Sequence, residues 1–194
     1  MIVAEIKSAL ELALEKAERL GRATEQEIQE AKDRDWGRHL AADFLREKVE
    51  LEEELQKVPA SSQALVVANI KEVLLRNIIL PRQGGPDPTF QRVRSGLLKV
   101  AQNKKAMQRL LSEVEQLLKN FEQVRQKNYE QLKASFAAGL DNIQRAMSAQ
   151  MHMKVKINVE HSPQFQEEWN KFESNLVSQF EPRLDHYKAQ MLAL

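Results

Sequence analysis

Residues 151–162 read MHMKVKINVEHS, and the fold class turns on whether they prolong a helix or interrupt it. Met151, Met153, Val155, Ile157 and Val159 fall at every second position, with His152, Lys154, Lys156, Asn158 and Glu160 between them. A two-residue period marks a strand with one wet face. Met147, Met151, Val155 and Val159 also keep the four-residue spacing that a continued helix would use. Against that, the β-branched residues cluster where the alternation is cleanest. Ser162-Pro163 then carries the signature of a fresh helix start. The stretch predicts one short strand, about 151–159, in a chain that otherwise reads as helix.

A lone strand leaves its backbone donors and acceptors unpaired. No other segment alternates in this way, although 74–80 offers a poor partner. The economical solution is a second copy of the same strand, antiparallel across a two-fold axis. Met153, Val155, Ile157 and Val159 are then the candidate dimer strand, and the protein is expected to be a homodimer. Lys154 and Lys156 would face water.

Upstream, no proline occurs between Pro88 and Pro163. An apolar stripe runs through Val93, Leu97, Val100, Met107, Leu111, Val114, Leu118, Phe121, Leu132, Phe136, Leu140, Ile143 and Met147. Its ends fall on one line of a straight helix at about 3.6 residues per turn, whereas a strict heptad would drift around the axis. The pattern predicts one long helix over 89–150, roughly 90 Å in length, with Gly139 as its bend. A C-terminal helix over 163–193 follows, with Phe165, Trp169, Phe172, Leu176, Phe180, Leu184, Tyr187 and Met191 on its face and a kink at Pro182.

Before the long helix, PRQGGPDP (81–88) is the one clear linker. Residues 1–80 read as a three-helix part. The first helix spans about Ile2 to Leu20, ending at Gly21. The second runs from Thr24, with Glu27 completing a capping box, to Val58 before Pro59. The third starts at Ser61 or Ser62 and ends at Leu80, and it is the most apolar around its circumference. The expected fold is all-α: a single elongated helical bundle over 1–194, built round the long helix, with one short strand.

Composition narrows the function classes. The 194 residues contain no cysteine, which removes disulfides, thiolate metal sites and cysteine nucleophiles and fits a reducing compartment. No segment has the run of about 20 apolar residues that a membrane span needs, so a cytoplasmic protein with no membrane partner is expected. None of the four histidines, His39, His152, His161 and His186, has a glutamate three residues before it, so the di-metal bundle motif is absent. Asp35, His39, Asp43 and Glu47 share one helix face, but a solvated polar face is the commoner meaning of such a set. Phosphate loops, dinucleotide fingerprints and nucleophile elbows are missing too. No catalytic residue, metal ligand or cofactor is assigned, and the chain is read as a non-enzyme.

The net charge of +1 hides an asymmetry. Residues 1–60 carry 10 basic and 15 acidic groups, and residues 61–160 carry 16 and 8. The densest basic run is Arg82, Arg92, Arg94, Lys99, Lys104, Lys105 and Arg109. Arg92, Arg94, Lys99, Lys104, Lys105 and Arg109 are the candidate contacts to nucleic acid or another acidic partner. Only Phe90 is aromatic there, which does not favour stacking on bases. The acidic second helix, with Glu50 and Glu52 to Glu54, offers an internal counter-charge instead.

The opening AEIKSALELALEKAERLG (4–21) resembles the start of an uncharacterised bacterial family of small helical proteins. That resemblance implies no activity, ligand or site residue. The order of long helix, β segment and returning helix is similar to the arms of prefoldin-like chaperones, at the level of architecture alone. Together these readings predict a scaffold or adaptor that meets an unidentified protein through helical surfaces. The alternative is a regulator that binds nucleic acid or an acidic partner through 82–109.

Overall fold

The computed structural model describes the backbone of residues 24–81, 88–151 and 158–194, and the side chains of these except 140–151. The described chain forms six α-helices: α1 (Glu25–Leu45), α2 (Leu51–Leu55), α3 (Ala60–Arg76), α4 (Pro88–Val100), α5 (Lys104–Met151) and α6 (Pro163–Leu192). A single 3-10 turn, Val159–His161, precedes α6. No strand occurs among the described residues. The expected first helix, the middle of the 81–88 linker, and Met153, Val155 and Ile157 lie outside them.

Both described ends of the predicted strand are helical. Met151 is the last residue of α5, and Val159 opens the 3-10 turn. The turn forms because Asn158 caps it: its side chain accepts from the Glu160 amide at 3.1 Å, and its carbonyl accepts from the His161 amide at 3.2 Å. Side-chain capping by asparagine outcompetes extension at this point.

Where caps are local, helices start as expected. The Thr24 hydroxyl accepts from the Glu27 amide at 3.2 Å, and the Glu27 carboxylate accepts from the Thr24 amide at 2.8 Å. The Ser162 hydroxyl accepts from the Phe165 amide, with Pro163 in the first turn of α6.

Two expected helices prove to be pairs. The helix expected over Thr24–Val58 stops at Leu45 and resumes as α2. Its end is a 6→1 and 5→2 pair of bonds, Lys48 amide to Asp43 carbonyl at 2.9 Å and Glu47 amide to Phe44 carbonyl at 3.0 Å. Glu47 takes the left-handed position at φ 60° that glycine usually fills. Likewise, the helix expected over 89–150 breaks at 101–103. Asn103 caps the new start by accepting from the Ala106 amide at 3.0 Å. The remaining helix, α5, has 48 residues and is about 72 Å long. At the end of α3, Asn77 closes the helix before Ile78 to Leu80, because Pro81 excludes helix in the residues it follows.

The core runs from Leu40 and Phe44 on α1 through Val66, Ile70 and Leu74 on α3 and Val93 and Leu97 on α4. It continues into Met107, Leu111, Val114 and Phe121 on α5 and Leu176, Leu184 and Met191 on α6. These are the apolar faces that periodicity predicts. Leu118, Leu132 and Phe136 of the predicted stripe are only half-buried, and Ile28 near the start of α1 is 46% exposed. Glycine sets the closest helix approaches. A β-carbon on Gly37 would stand 2.5 Å from the Val66 carbonyl oxygen, and one on Gly96 would stand 2.6 Å from the Phe44 ring. So α1 meets α3 at Gly37, while Phe44 and Leu74 both close on Gly96 of α4. Gly139 has nothing within 4 Å.

Candidate protein-contact surfaces

The basic run is largely consumed inside the fold. Arg92 on α4 lies over the Phe44 ring at 3.9 Å and donates from Nε to the Phe44 carbonyl at 2.9 Å. It thereby caps the C-terminal end of α1, where the helix dipole favours a cation. A second nitrogen of Arg92 reaches Glu50 at 3.3 Å. Lys99, two turns further along α4, donates to Glu50 and lies 3.6 Å from Glu52. The Lys99 hydrogen bond holds the Glu50 carboxyl below the usual carboxylate range, and Glu50 in turn raises the Lys99 amine.

Arg94 donates to Glu115 on α5 at 2.8 Å, and Arg109 pairs with Glu113 within α5 at 3.1 Å. Lys104 and Lys105 are exposed and meet no partner among the described residues. Of the six candidate contacts, three therefore tie α4 to its neighbours, one serves its own helix, and two are free. Arg82 lies outside the described residues. Val159, alone of the candidate dimer strand, is described, half-buried in the 3-10 turn.

The last helix docks on α5 through aromatic rings. Tyr129 meets Phe165 and Trp169 edge-on, with ring centroids 5.6 and 4.9 Å apart, and Phe136 meets Phe165 at 5.6 Å. Polar groups flank this seam. Arg125 donates to Glu173 at 2.7 Å and lies over Trp169. The Tyr129 hydroxyl and the Lys133 amine both donate to one oxygen of Glu160, at 2.9 and 2.7 Å. Lys133, then Tyr129, holds the Glu160 carboxyl below its ordinary range. Burial, then Glu160, pushes the Tyr129 phenol up.

A groove of about 680 Å³ opens between the non-helical 79–81 segment and the α5–α6 pair. Phe121, Val177 and Leu184 line it with Ile79, which is 54% exposed, and the Arg125–Glu173 pair lines it too. The size lies within the usual range of about 300–1,000 Å³ for binding clefts. No group of histidines and carboxylates able to hold a metal occurs among the described residues. No described helix is long and apolar enough to cross a membrane. The sequence hides the groove because Ile79 continues the apolar run of the buried helix. The sign in the sequence was Pro81, which frees the residues before it from helix.

A family model described as a family of unknown function (DUF6657) matches residues 52–193, from α2 through α6. No curated protein and no solved structure matches the chain.

Proposed function

We propose that this chain, which belongs to the family of unknown function DUF6657, is a non-enzymatic cytoplasmic scaffold or adaptor working through helical protein–protein contacts. The observation that carries this reading is the groove beside Ile79, lined by Phe121, Val177 and Leu184, where, of the lining charges, Arg125, Glu173 and Lys188 are already paired. It would take an apolar segment of a partner protein, whose side chains would pack between Ile79 and Val177. An enzyme instead needs titratable groups converging on a cleft, and Arg125 and Glu173 neutralise one another here.

The test is co-purification of tagged full-length protein from its native host. Recovery of a partner that is lost on Ile79→Glu, yet kept on joint Lys104→Glu and Lys105→Glu, supports the groove. Recovery insensitive to Ile79→Glu refutes it. The alternative, binding of nucleic acid or an acidic protein through 82–109, now rests on the free Lys104 and Lys105. Because Arg92 and Arg94 hold helices together, the discriminating variant changes the two lysines alone. A salt-sensitive gel shift abolished by that variant would favour the alternative.

We also retain the homodimer as a proposal, supported by the alternation of Met153, Val155 and Ile157 in the sequence. Light scattering that finds the unmodified protein monomeric excludes it. A dimer that Ile157→Pro leaves intact excludes the strand as its seat.

A further inference from the structure

The groove beside Ile79 is walled by backbone as well as by side chains. On one wall, the Ile78 amide donates to the Leu75 carbonyl at 3.1 Å, but the amides of Ile79 and Leu80 find no acceptor among the described residues. Both residues line the groove. The other wall includes α6, whose interior holds Pro182. Proline has no N–H, so the Ser178 carbonyl, four residues earlier, lacks its helical donor. Ser178 lines the groove too, and its hydroxyl donates to the Asn175 carbonyl at 2.8 Å. One wall therefore carries backbone donors and the other a backbone acceptor. Of the lining charges, Arg125 pairs with Glu173 and Lys188 with Asp185, whereas Glu181 has no ion pair or hydrogen bond among the described residues.

We propose that the groove takes an extended peptide segment of a partner protein, apolar at alternate positions and carrying a lysine or arginine opposite Glu181. This rests on the groove being the partner site, and it names the form of the partner. A helical segment satisfies its own backbone and has no use for unpaired groups in the walls. An extended segment leaves its amides and carbonyls open, and each needs a partner where water is excluded. Here a peptide carbonyl would accept from the Ile79 or Leu80 amide, and a peptide amide would donate to the Ser178 carbonyl. Main-chain pairing of this kind supplies affinity, and side chains at alternate positions supply the fit against Phe121 and Val177. The unpaired Glu181 carboxylate then selects a cationic residue in the segment.

The experiment titrates the full-length protein into labelled Val-Lys-Val-Lys-Val and follows fluorescence anisotropy, with an amphipathic Leu/Lys helix of equal charge as the comparison ligand. The extended peptide is expected to bind saturably, and Ile79→Glu to abolish binding. Pro182→Ala restores the missing amide at an exposed position. It should melt above the unmodified protein yet bind the peptide about fivefold more weakly. Methylating the peptide nitrogen at either of two successive residues blocks each edge of the extended chain in turn, and one of the two should cost a similar factor. Glu181→Lys should weaken binding most at low salt. Binding that Ile79→Glu abolishes, but that Pro182→Ala and both methylations leave unchanged, overturns the extended pairing and keeps the groove as an apolar site. Tighter binding of the helix has the same meaning. Binding insensitive to Ile79→Glu overturns both the pairing and the groove. Binding of neither peptide overturns the pairing and leaves the groove to the co-purification test.

Discussion

Phe44, Ile70 and Leu97 in the body of the molecule are fully covered, whereas Tyr129, Leu132 and Phe136 in the distal part of the α5–α6 pair are only half-buried. The same apolar stripe of α5 passes through both regions. In the body, α1, α3 and α4 meet, so a side chain can be enclosed on every side. In the distal hairpin two helices share a single line of contact, and side chains beside that line face water on one flank. There the structure uses flat rings packed edge-on and ion pairs that bridge the helices, Arg125–Glu173 and Lys133–Glu160. Phe165 and Trp169 are buried but stand apart from the main core. A two-helix seam can be well fitted and still open independently of the body.

The sharpest break of that comparison pairs Phe44→Ala with Trp169→Ala. Phe44→Ala should cost about 3–5 kcal/mol and lower the melting temperature of the whole described fold. Trp169→Ala should instead remove amide-exchange protection from 125–139 and 160–175 and leave protection at α3 and α4 intact. Loss of protection in the body as well would make the two regions one cooperative unit.

Gly37→Ala and Gly96→Ala probe the close approaches that only the body has. Each should cost about 1–3 kcal/mol in urea unfolding, as overpacked sites do. Gly37 should be the worse, since its clash is with the Val66 backbone rather than with movable side chains.

Acidification probes the hairpin. The Glu160 carboxyl is depressed in the folded state, so its contribution is present above the ordinary carboxylate value of about 4.3. That contribution is lost as pH falls through the lower folded value. In a Trp36→Phe background, Trp169 emission should shift toward the red over that window, while Glu160→Gln should start shifted and change little. The smallest effect is expected at Gly139→Ala. That position is open, so removing backbone freedom should stabilise α5 by about 0.5–1 kcal/mol.

Much of the fold was legible because its signals are local. Thr24 with Glu27, three residues apart, and the adjacent Ser162 and Pro163 mark helix starts. The buried faces of α4, α5 and α6 follow the 3.6-residue period. The two helix breaks were not legible for a specific reason. Phe44 and Leu51 are seven residues apart, as are Val100 and Met107. A break inside two turns leaves such spacing unchanged, so the stripe reads as continuous. At the first break there is no glycine to give warning, because Glu47 itself takes the left-handed position. At 151–159 the alternation was real, but alternation says nothing of what pairs with it. In the described part, Glu160 is engaged by Tyr129 and Lys133 in a turn instead.

The contact surfaces divide in the same way. The clustering of basic residues in 82–109 was visible in the chain, and so was an acidic helix able to answer it. Which cations would be spent was not, since Arg92 and Glu50 are joined only when α4 crosses the end of α1. What the sequence by itself determined is the helical class, the local caps and the apolar faces, all set by interactions within a few residues. Only the tertiary structure decided where helices stop, which glycines are contact points, and which charges remain free. Those depend on groups far apart in the chain, such as Arg92 and the Phe44 carbonyl 48 residues before it, which no local pattern records.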